Sequence, residues 1–221
     1  MVVRNKTGSR AGSTDRVRSR GCSPASSGSC SKASARPLDS LTDIVDSYLQ
    51  NELQDAVVEA AFFGDKHLPF GESVGRAALS DCADGKLHDH QRRPGRAMMR
   101  RCAVALAIHQ EALADARDFA ALYVAVERVL GPIYGAGELI VYDVAERIGW
   151  RMGLTPDLVY LHAGTRAGAR ALNPSVRGAT LSMADLPDEF RRLSAAQTEN
   201  LLCIYKAPLQ ALRRRGALQP V

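Results

Sequence analysis

A glycine-rich segment between two apolar-periodic stretches is the first feature that suggests chemistry. It runs from Gly131 to Leu139 and reads Gly-Pro-Ile-Tyr-Gly-Ala-Gly-Glu-Leu. A tight turn needs positive φ and close backbone approach, which glycine allows. Gly137 would open a helix whose free N–H groups can bind an anion such as a DNA phosphate. We therefore predict phosphate contacts at Gly135 and Gly137. The alternative is an ordinary turn between helices, in which Glu138 only complements its own helix dipole.

The order of residues in this turn resembles that of the helix-hairpin-helix superfamily, whose hairpins read hydrophobe-x-Gly-hydrophobe-Gly. Four residues carry the resemblance: Ile133, Gly135, Ala136 and Gly137. It extends over roughly residues 119–172, with the motif at about 119–152, and the second helix would pack through Tyr142, Ala145 and Ile148. The resemblance implies a DNA-glycosylase-like hairpin that binds the DNA backbone largely without sequence preference.

The glycosylase branch of that superfamily also implies a catalytic residue. Its members place an aspartate about twenty residues after the hairpin, the distance that separates Asp157 from Gly137. There Asp157 would stabilise positive charge on the sugar and activate water. Leu139 stands where lyase-type members carry a nucleophilic lysine, so a Schiff-base mechanism is not expected. The alternative is that Thr155-Pro156 begins a short helix, where any acid is favourable.

A second candidate segment, residues 160–170, alternates small and polar residues. Arg166 and Arg170 are one helical turn apart, and Thr165 can cap a helix just after His162. Together these four side chains could bind a phosphate or carboxylate beside the hairpin. Alternatively, the histidine is packed inside and the small residues permit close helix crossing. The block from here to Lys206 resembles a family of bacterial proteins, a likeness that implies no activity.

Arginines cluster between residues 92 and 101. Five of these ten residues are arginine, and the first three are our candidate DNA contacts: Arg92, Arg93, Arg96, Arg100 and Arg101. Such a cluster suits an acidic partner, although it is also typical of a solvated helix face.

Cysteine usage indicates a reducing compartment, so we expect a cytoplasmic protein. The chain has an odd number of cysteines and no CxxC pair: Cys22, Cys30, Cys82, Cys102 and Cys203. One conceivable metal set is Cys82, His88, His90 and Cys102, but its spacing fits no standard zinc module. We therefore predict no metal and no cofactor.

Charge is distributed unevenly along the 221 residues. The chain carries +5 overall, but residues 1–36 hold eight bases and one acid, which leaves −2 for the remainder. This serine- and arginine-rich stretch has few large apolar side chains, so residues 1–37 are predicted to be a disordered tail. It could be a basic arm for nucleic acid, a transit-like segment or an extension without function. Overall charge is therefore no argument that the folded part binds DNA.

The rest of the chain has ordinary globular composition, with 46% hydrophobic residues and no apolar run long enough to cross a membrane. Apolar residues recur at helical spacing from residue 39 onward. Helices are predicted over about 41–61, 96–110, 115–130 and 138–152, after Thr155-Pro156, from Thr165 to before Asn173, and after the capping box Ser194-x-x-Gln197. Leu158–Leu161 is the only β-like run, and its cap favours helix. The sequence predicts one all-α domain over 38–221.

Three functions are consistent with these features. The first is a DNA-backbone-binding protein that uses the hairpin and the clustered arginines. The second is a base-excision-type DNA glycosylase that uses Asp157. The third is a helical module that binds a small anionic ligand or a protein partner.

Overall fold

The computed structural model describes residues 37–218, so the predicted disordered tail, except for its last residue, lies outside the described residues. The all-α prediction is confirmed: within this range lie ten α-helices and one two-stranded sheet. The helices are α1 Leu41–Asn51, α2 Leu53–Phe63, α3 Phe70–Leu79, α4 Gly95–Ile108, α5 Gln110–Ala114, α6 Phe119–Leu130, α7 Glu138–Met152, α8 Ala163–Leu172, α9 Ala195–Ile204 and α10 Lys206–Arg214. The strands are β1 Leu158–Tyr160 and β2 Thr180–Ser182, and 3-10 turns occur at Asp89–Gln91, Met183–Asp185 and Asp188–Arg192.

Side-chain caps account for several helix starts. Ser40 accepts a 3.1 Å hydrogen bond from the Asp43 N–H at the start of α1. The predicted capping box of α9 is confirmed, because Ser194 and Gln197 bond each other's backbone N–H groups. The first predicted helix is in fact two helices, which meet at Glu52.

The prediction of a helix at Leu158–Leu161 is wrong. Residues Leu158–Tyr160 form β1, which pairs antiparallel with Thr180–Ser182. The hydrogen-bonding partner comes from a segment about twenty residues later, which the local capping pattern could not indicate. Consequently Thr155-Pro156 does not begin a helix, and Asp157 lies exposed at a bend before the strand rather than at a helix N-terminus.

The buried side chains form two hydrophobic clusters. One joins α1, β1 and α8–α10, and the other joins α3, α4, α6 and α7. Within the first cluster α8 crosses α9 closely at Gly168, where an added Cβ would lie 2.2 Å from the Leu202 carbonyl oxygen. The small residues of α8 therefore permit close helix crossing, which was one of the two alternatives for this segment.

Between residues 37 and 218, no helix is both long and apolar enough to cross a membrane.

Candidate functional site

A cleft of about 770 Å³ is lined by α1, α2, the segment between α3 and α4, and helices α7 and α9. Ionisable side chains from each of the last four come together in it. They are Glu59 on α2, His88 and His90 before α4, Asp143, Glu146 and Arg147 on α7, and Glu199 on α9. Because α7 is otherwise buried among apolar residues, its polar residues at 143, 146 and 147 form one polar face toward the cleft.

Asp143 is a buried carboxylate at the inner wall of the cleft. Its Oδ2 accepts a 2.7 Å hydrogen bond from Gln91 Nε2 and lies 3.1 Å from His90 Nδ1. Burial would raise the pKa of Asp143, but the hydrogen bond with His90 and the charge of Arg147 outweigh burial and lower it. Burial likewise opposes the charged form of His90, yet contact with Asp143 raises the pKa of that imidazole. The carboxylate and the imidazole thus stabilise each other's charged forms.

His88 contacts a second carboxylate of the cleft, that of Glu59. Its Nε2 lies 3.4 Å from Glu59 Oε1, and its ring packs edge-on against His90 with 4.7 Å between ring centroids. Arg147 donates to the same Glu59 oxygen at 3.1 Å. Burial opposes ionisation of Glu59, but hydrogen bonding to His88 and the charge of Arg147 lower its pKa to about 2. Glu59 therefore stays ionised and anchors His88.

Arg147 is a buried cation whose guanidinium has three kinds of partner. Besides Glu59, it donates to Ser80 Oγ at 2.8 Å and lies 4.7 Å from the centroid of the Phe63 ring. This network ties α7 to α2 and to the end of α3.

Glu146 lies one turn after Asp143 on the same face of α7. Its Oε1 accepts a 3.2 Å hydrogen bond from the Tyr142 hydroxyl. Burial, and then the charges of Glu199, Asp143 and Glu59, raise the pKa of Glu146 well above its ordinary value. The cleft thus holds an ionised carboxylate and, one helical turn away, a carboxyl group that favours its protonated form.

The structure places His162 and Thr165, two predicted anion ligands, inside the protein. Both are buried and contact the same carboxylate of Glu199, which accepts a hydrogen bond of 2.6 Å from Thr165 Oγ1 and a shorter one from His162 Nε2. His162, rather than Thr165, caps α8, because its Nδ1 accepts from the Gly164 N–H at 3.3 Å. The polar atoms of both side chains therefore serve an internal carboxylate instead of an external anion.

The predicted arginine contacts have internal partners in most cases. Arg166 donates to the backbone carbonyls of Leu161 and Gly178, and Arg170 donates to that of Val176. Arg92 pairs with Asp89 at 2.8 Å, Arg96 pairs with Asp81, and Arg93 is exposed.

The glycine hairpin adopts the tight turn with positive φ that its sequence predicts. Gly135 has φ +91°, where a side chain would be strained, and an added Cβ would lie 2.6 Å from Met98 Cε. Gly137 is the N-cap of α7 with open space around it, and Tyr134 is 94% exposed. Glu138 lies 3.4 Å from Arg166, so a carboxylate is held at this helix end.

One group of residues in the described range has the composition and spacing of a metal site. Ligand atoms of His88, His90 and Asp143 all lie within 4.8 Å of one another. The sequence suggested two of these residues but combined them with Cys82 and Cys102, which do not belong to this group. Cys82 lines the same cleft, whereas Cys102 is buried in the second hydrophobic cluster.

Sequence reasoning missed the acidic half of this site: Glu59, Asp143, Glu146 and Glu199. Asp157, the predicted catalytic residue, is exposed and does not line the cleft. One signal was present, because acids at 143 and 146 and a base at 147 interrupt the apolar middle of α7. Polar side chains that fall on a buried helix face need a local reason, such as a site.

Comparisons of this chain with models of protein families, with curated proteins and with solved structures found no match.

Proposed function

We propose that the protein is an enzyme of hydrolytic type and that the cleft is its active site. The observation that carries this proposal is the contact between Asp143 Oδ2 and His90 Nδ1 at 3.1 Å on the cleft wall. A carboxylate that holds an imidazole by one ring nitrogen fixes its orientation and leaves the other nitrogen for chemistry. The contact is supported from behind by Gln91, which is fully buried.

Water activation would take place at this contact. Asp143 is held by two side chains from the segment before α4, so its position relative to His90 is fixed by the fold. Positioned groups of this kind accelerate proton transfer by about 10²–10⁴-fold.

Glu146 supplies the complementary group. It projects from the same face of α7 one turn later, and its surroundings favour the protonated form. Two carboxyl groups whose environments separate their pKa values in this way are typical of an acid–base pair. We assign Glu146 the role of protonating the leaving group.

The charge of the cleft restricts its substrates. Its lining contains eight acidic side chains and three lysines or arginines. A polyanion such as DNA would be repelled from a wall of this kind. We therefore expect a small substrate that is neutral or cationic at the bond to be cleaved.

The experiment is a hydrolysis screen of the purified full chain with two matched variants. The panel contains neutral and cationic esters, amides and glycosides, together with uracil- and lesion-containing duplex DNA. We expect hydrolysis of at least one small-molecule class, reduced 100-fold or more in Asp143→Asn and unchanged in Asp157→Asn. No hydrolysis anywhere on the panel would contradict the proposal. Activity on lesion DNA that is lost only in Asp157→Asn would instead support the base-excision prediction.

A second candidate, DNA-backbone binding at the hairpin, is favoured by the left-handed turn at Gly135 and by the open start of α7. Within the described residues the N–H groups of residues 137–139 have no protein partner, and the nearby Tyr134 is exposed. Arg101, which is exposed, contacts Met98, and Met98 in turn lies against Gly135. A free helix N-terminus with a nearby arginine can accept a phosphate.

Salt-titrated binding of duplex DNA tests this candidate. The steep salt dependence of phosphate contacts should be present in the full chain and reduced in Gly137→Asp. The control is Gly75→Asp, which adds the same charge at an open position on α3. If both variants bind DNA as the unmodified chain does, the hairpin is not the binding site.

A further inference from the structure

We propose that His88, His90 and Asp143 bind one divalent transition-metal ion of the zinc type. The inference rests on the same cleft as the proposed function and specifies how that site would activate water. Two imidazoles and a carboxylate from the segment before α4 and from α7 place their ligand atoms within 4.8 Å of one another. Three protein ligands with the remaining position open to a cleft are the usual arrangement of catalytic zinc.

The distances fit an ion after small side-chain adjustments. Zinc holds nitrogen and oxygen ligands at about 2.0–2.2 Å, so tetrahedral ligand atoms lie about 3.4 Å apart. His90 Nδ1 and Asp143 Oδ2 are already 3.1 Å apart, and the ion would take the place of the proton that these two atoms share in their hydrogen bond. The other ligand atoms are at most 4.8 Å apart, and side-chain rotations that move them by about 1 Å bring them to the tetrahedral distance. Imidazole ligands favour zinc and its neighbours over magnesium or calcium, which prefer oxygen.

Two of the three proposed ligands, His88 and Asp143, are held by a hydrogen-bonding partner outside the metal position, as is usual for metal-binding side chains. Glu59 lies 3.4 Å from His88 Nε2, and such carboxylates orient metal-bound histidines. This leaves His88 Nδ1 with only a long 3.3 Å bond from the His90 N–H. Gln91 donates to Asp143 Oδ2 at 2.7 Å and fixes the carboxylate from the protein side.

The amide that holds Asp143 has an unsatisfied oxygen. Gln91 is completely buried, and its Oε1 has no hydrogen-bond partner within the described residues. Buried acceptors are normally satisfied, and unsatisfied ones indicate a missing water or ion. Because the same amide donates through Nε2 to Asp143, the unsatisfied oxygen belongs to the residue that supports the ligand carboxylate from the protein side.

The chemistry balances without an oxidant or a reductant. A bound ion would polarise a water molecule, whose oxygen would form a bond to the electrophilic atom of the substrate. The bond to the leaving group would break with its electron pair, Glu146 would give its proton to the leaving group, and the proton lost by the water would restore Glu146. Water is consumed, and no group changes its oxidation state.

Isothermal titration of the full chain with ZnCl₂ tests the proposal, after chelator treatment and in the presence of a reductant that does not bind metal. We expect one high-affinity site that is weakened at least tenfold in both Asp143→Asn and His88→Gln. His109→Gln is the matched control, because His109 is exposed at the end of α4. Circular dichroism shows whether each variant is folded, and two variants on different segments keep the test decisive if one fails to fold.

Cobalt substitution identifies the ligand atoms. Co²⁺ at the proposed site should absorb in the visible without the strong near-ultraviolet band of cobalt–thiolate bonds, since the ligands are nitrogen and oxygen. A thiolate band, zinc binding that is equal in the unmodified chain and both site variants, or no binding would overturn the proposal.

The two proposals fail in different ways. Zinc binding at this site without any hydrolysis leaves the metal site standing and removes the hydrolytic function. Hydrolysis that depends on Asp143 but survives chelation, together with no zinc binding, does the reverse.

Discussion

Gln91 Nε2 donates a 2.7 Å hydrogen bond to Asp143 Oδ2 across 52 residues of sequence. Both side chains are buried, so the bond joins the segment before α4 to the middle of α7 away from solvent. His90, the preceding residue, lies 3.1 Å from the same carboxylate oxygen. The geometry of the cleft therefore depends on an amide that has no reactive role itself.

Replacing this amide should destabilise the protein. Gln91→Ala removes one hydrogen-bond donor from the buried Asp143 carboxylate. Hydrogen bonds to charged groups contribute about 1.5–3 kcal/mol, so we expect the free energy of unfolding to fall by about 2 kcal/mol. Urea denaturation should show a lower free energy of unfolding by this amount. The control Gln50→Ala, at an exposed position on α1, should change it by less than about 0.5 kcal/mol. Equal effects in the two variants would mean that the bond to Asp143 contributes nothing.

Removing the hydroxyl from each of two buried threonines should change the stability of the protein differently. Thr165 Oγ1 donates to Glu199 at 2.6 Å, whereas Thr198 Oγ1 has no partner within residues 37–218. Thr165→Val should lower the unfolding free energy by about 2 kcal/mol, since it leaves a buried carboxylate short of a donor. Thr198→Val should be neutral or stabilising, because it removes an unsatisfied buried group. Thermal unfolding of the two variants compares them, and the prediction is wrong if Thr198→Val costs as much as Thr165→Val.

Close crossing of α8 and α9 requires glycine at position 168. In Gly168→Ala the new methyl group would lie 2.2 Å from the Leu202 carbonyl oxygen, so the helices must separate, at about 1–3 kcal/mol. Gly75→Ala is the matched change, because no atom lies within 4 Å of the new carbon inside α3. That variant should gain about 0.5–1 kcal/mol from helix propensity. The midpoint of chemical denaturation should thus fall in Gly168→Ala and rise in Gly75→Ala.

The thiol of Cys203 should react slowly with alkylating reagents. Burial, and then the charge of Glu199, raise its pKa to about 11 from an ordinary value of 9.0. At pH 8 its thiolate should be about 100 times scarcer than that of an ordinary cysteine. Alkylation by iodoacetamide, followed peptide by peptide in mass spectrometry, should be correspondingly slower in native protein than in urea. Native and unfolded rates that agree within a factor of a few would contradict this.

The raised pKa of Cys203 also makes the stability of the protein depend on pH. The folded state holds the Cys203 proton more tightly than the unfolded chain, so this group favours folding below pH 9. That contribution is lost as the pH rises from 9 toward 11. Cys203→Ser should flatten this part of the stability profile.

Local sequence determined most of the helices. Glu138–Met152 lies between a glycine N-cap and a glycine at φ +76°, and its predicted range of about 138–152 agrees with the structure. The Ser194 capping box and the turn at Gly135 were likewise predictable, because capping and positive φ depend on residues within a few positions. The same local reasoning failed at Leu158–Tyr160, where the hydrogen bonds come from Thr180–Ser182.

The candidate site was decided by tertiary structure alone. His88 and His90 stood out in the sequence, but cysteines were considered as their companions because those share the right chemistry. The fold instead brings Asp143, more than fifty residues away, within 3.1 Å of His90, and it turns His162 and Thr165 inward to Glu199. Helix periodicity determines which side of α7 is buried, but only packing against α2, α9 and the segment before α4 determines which of its acids meet an imidazole, because that depends on long-range contacts.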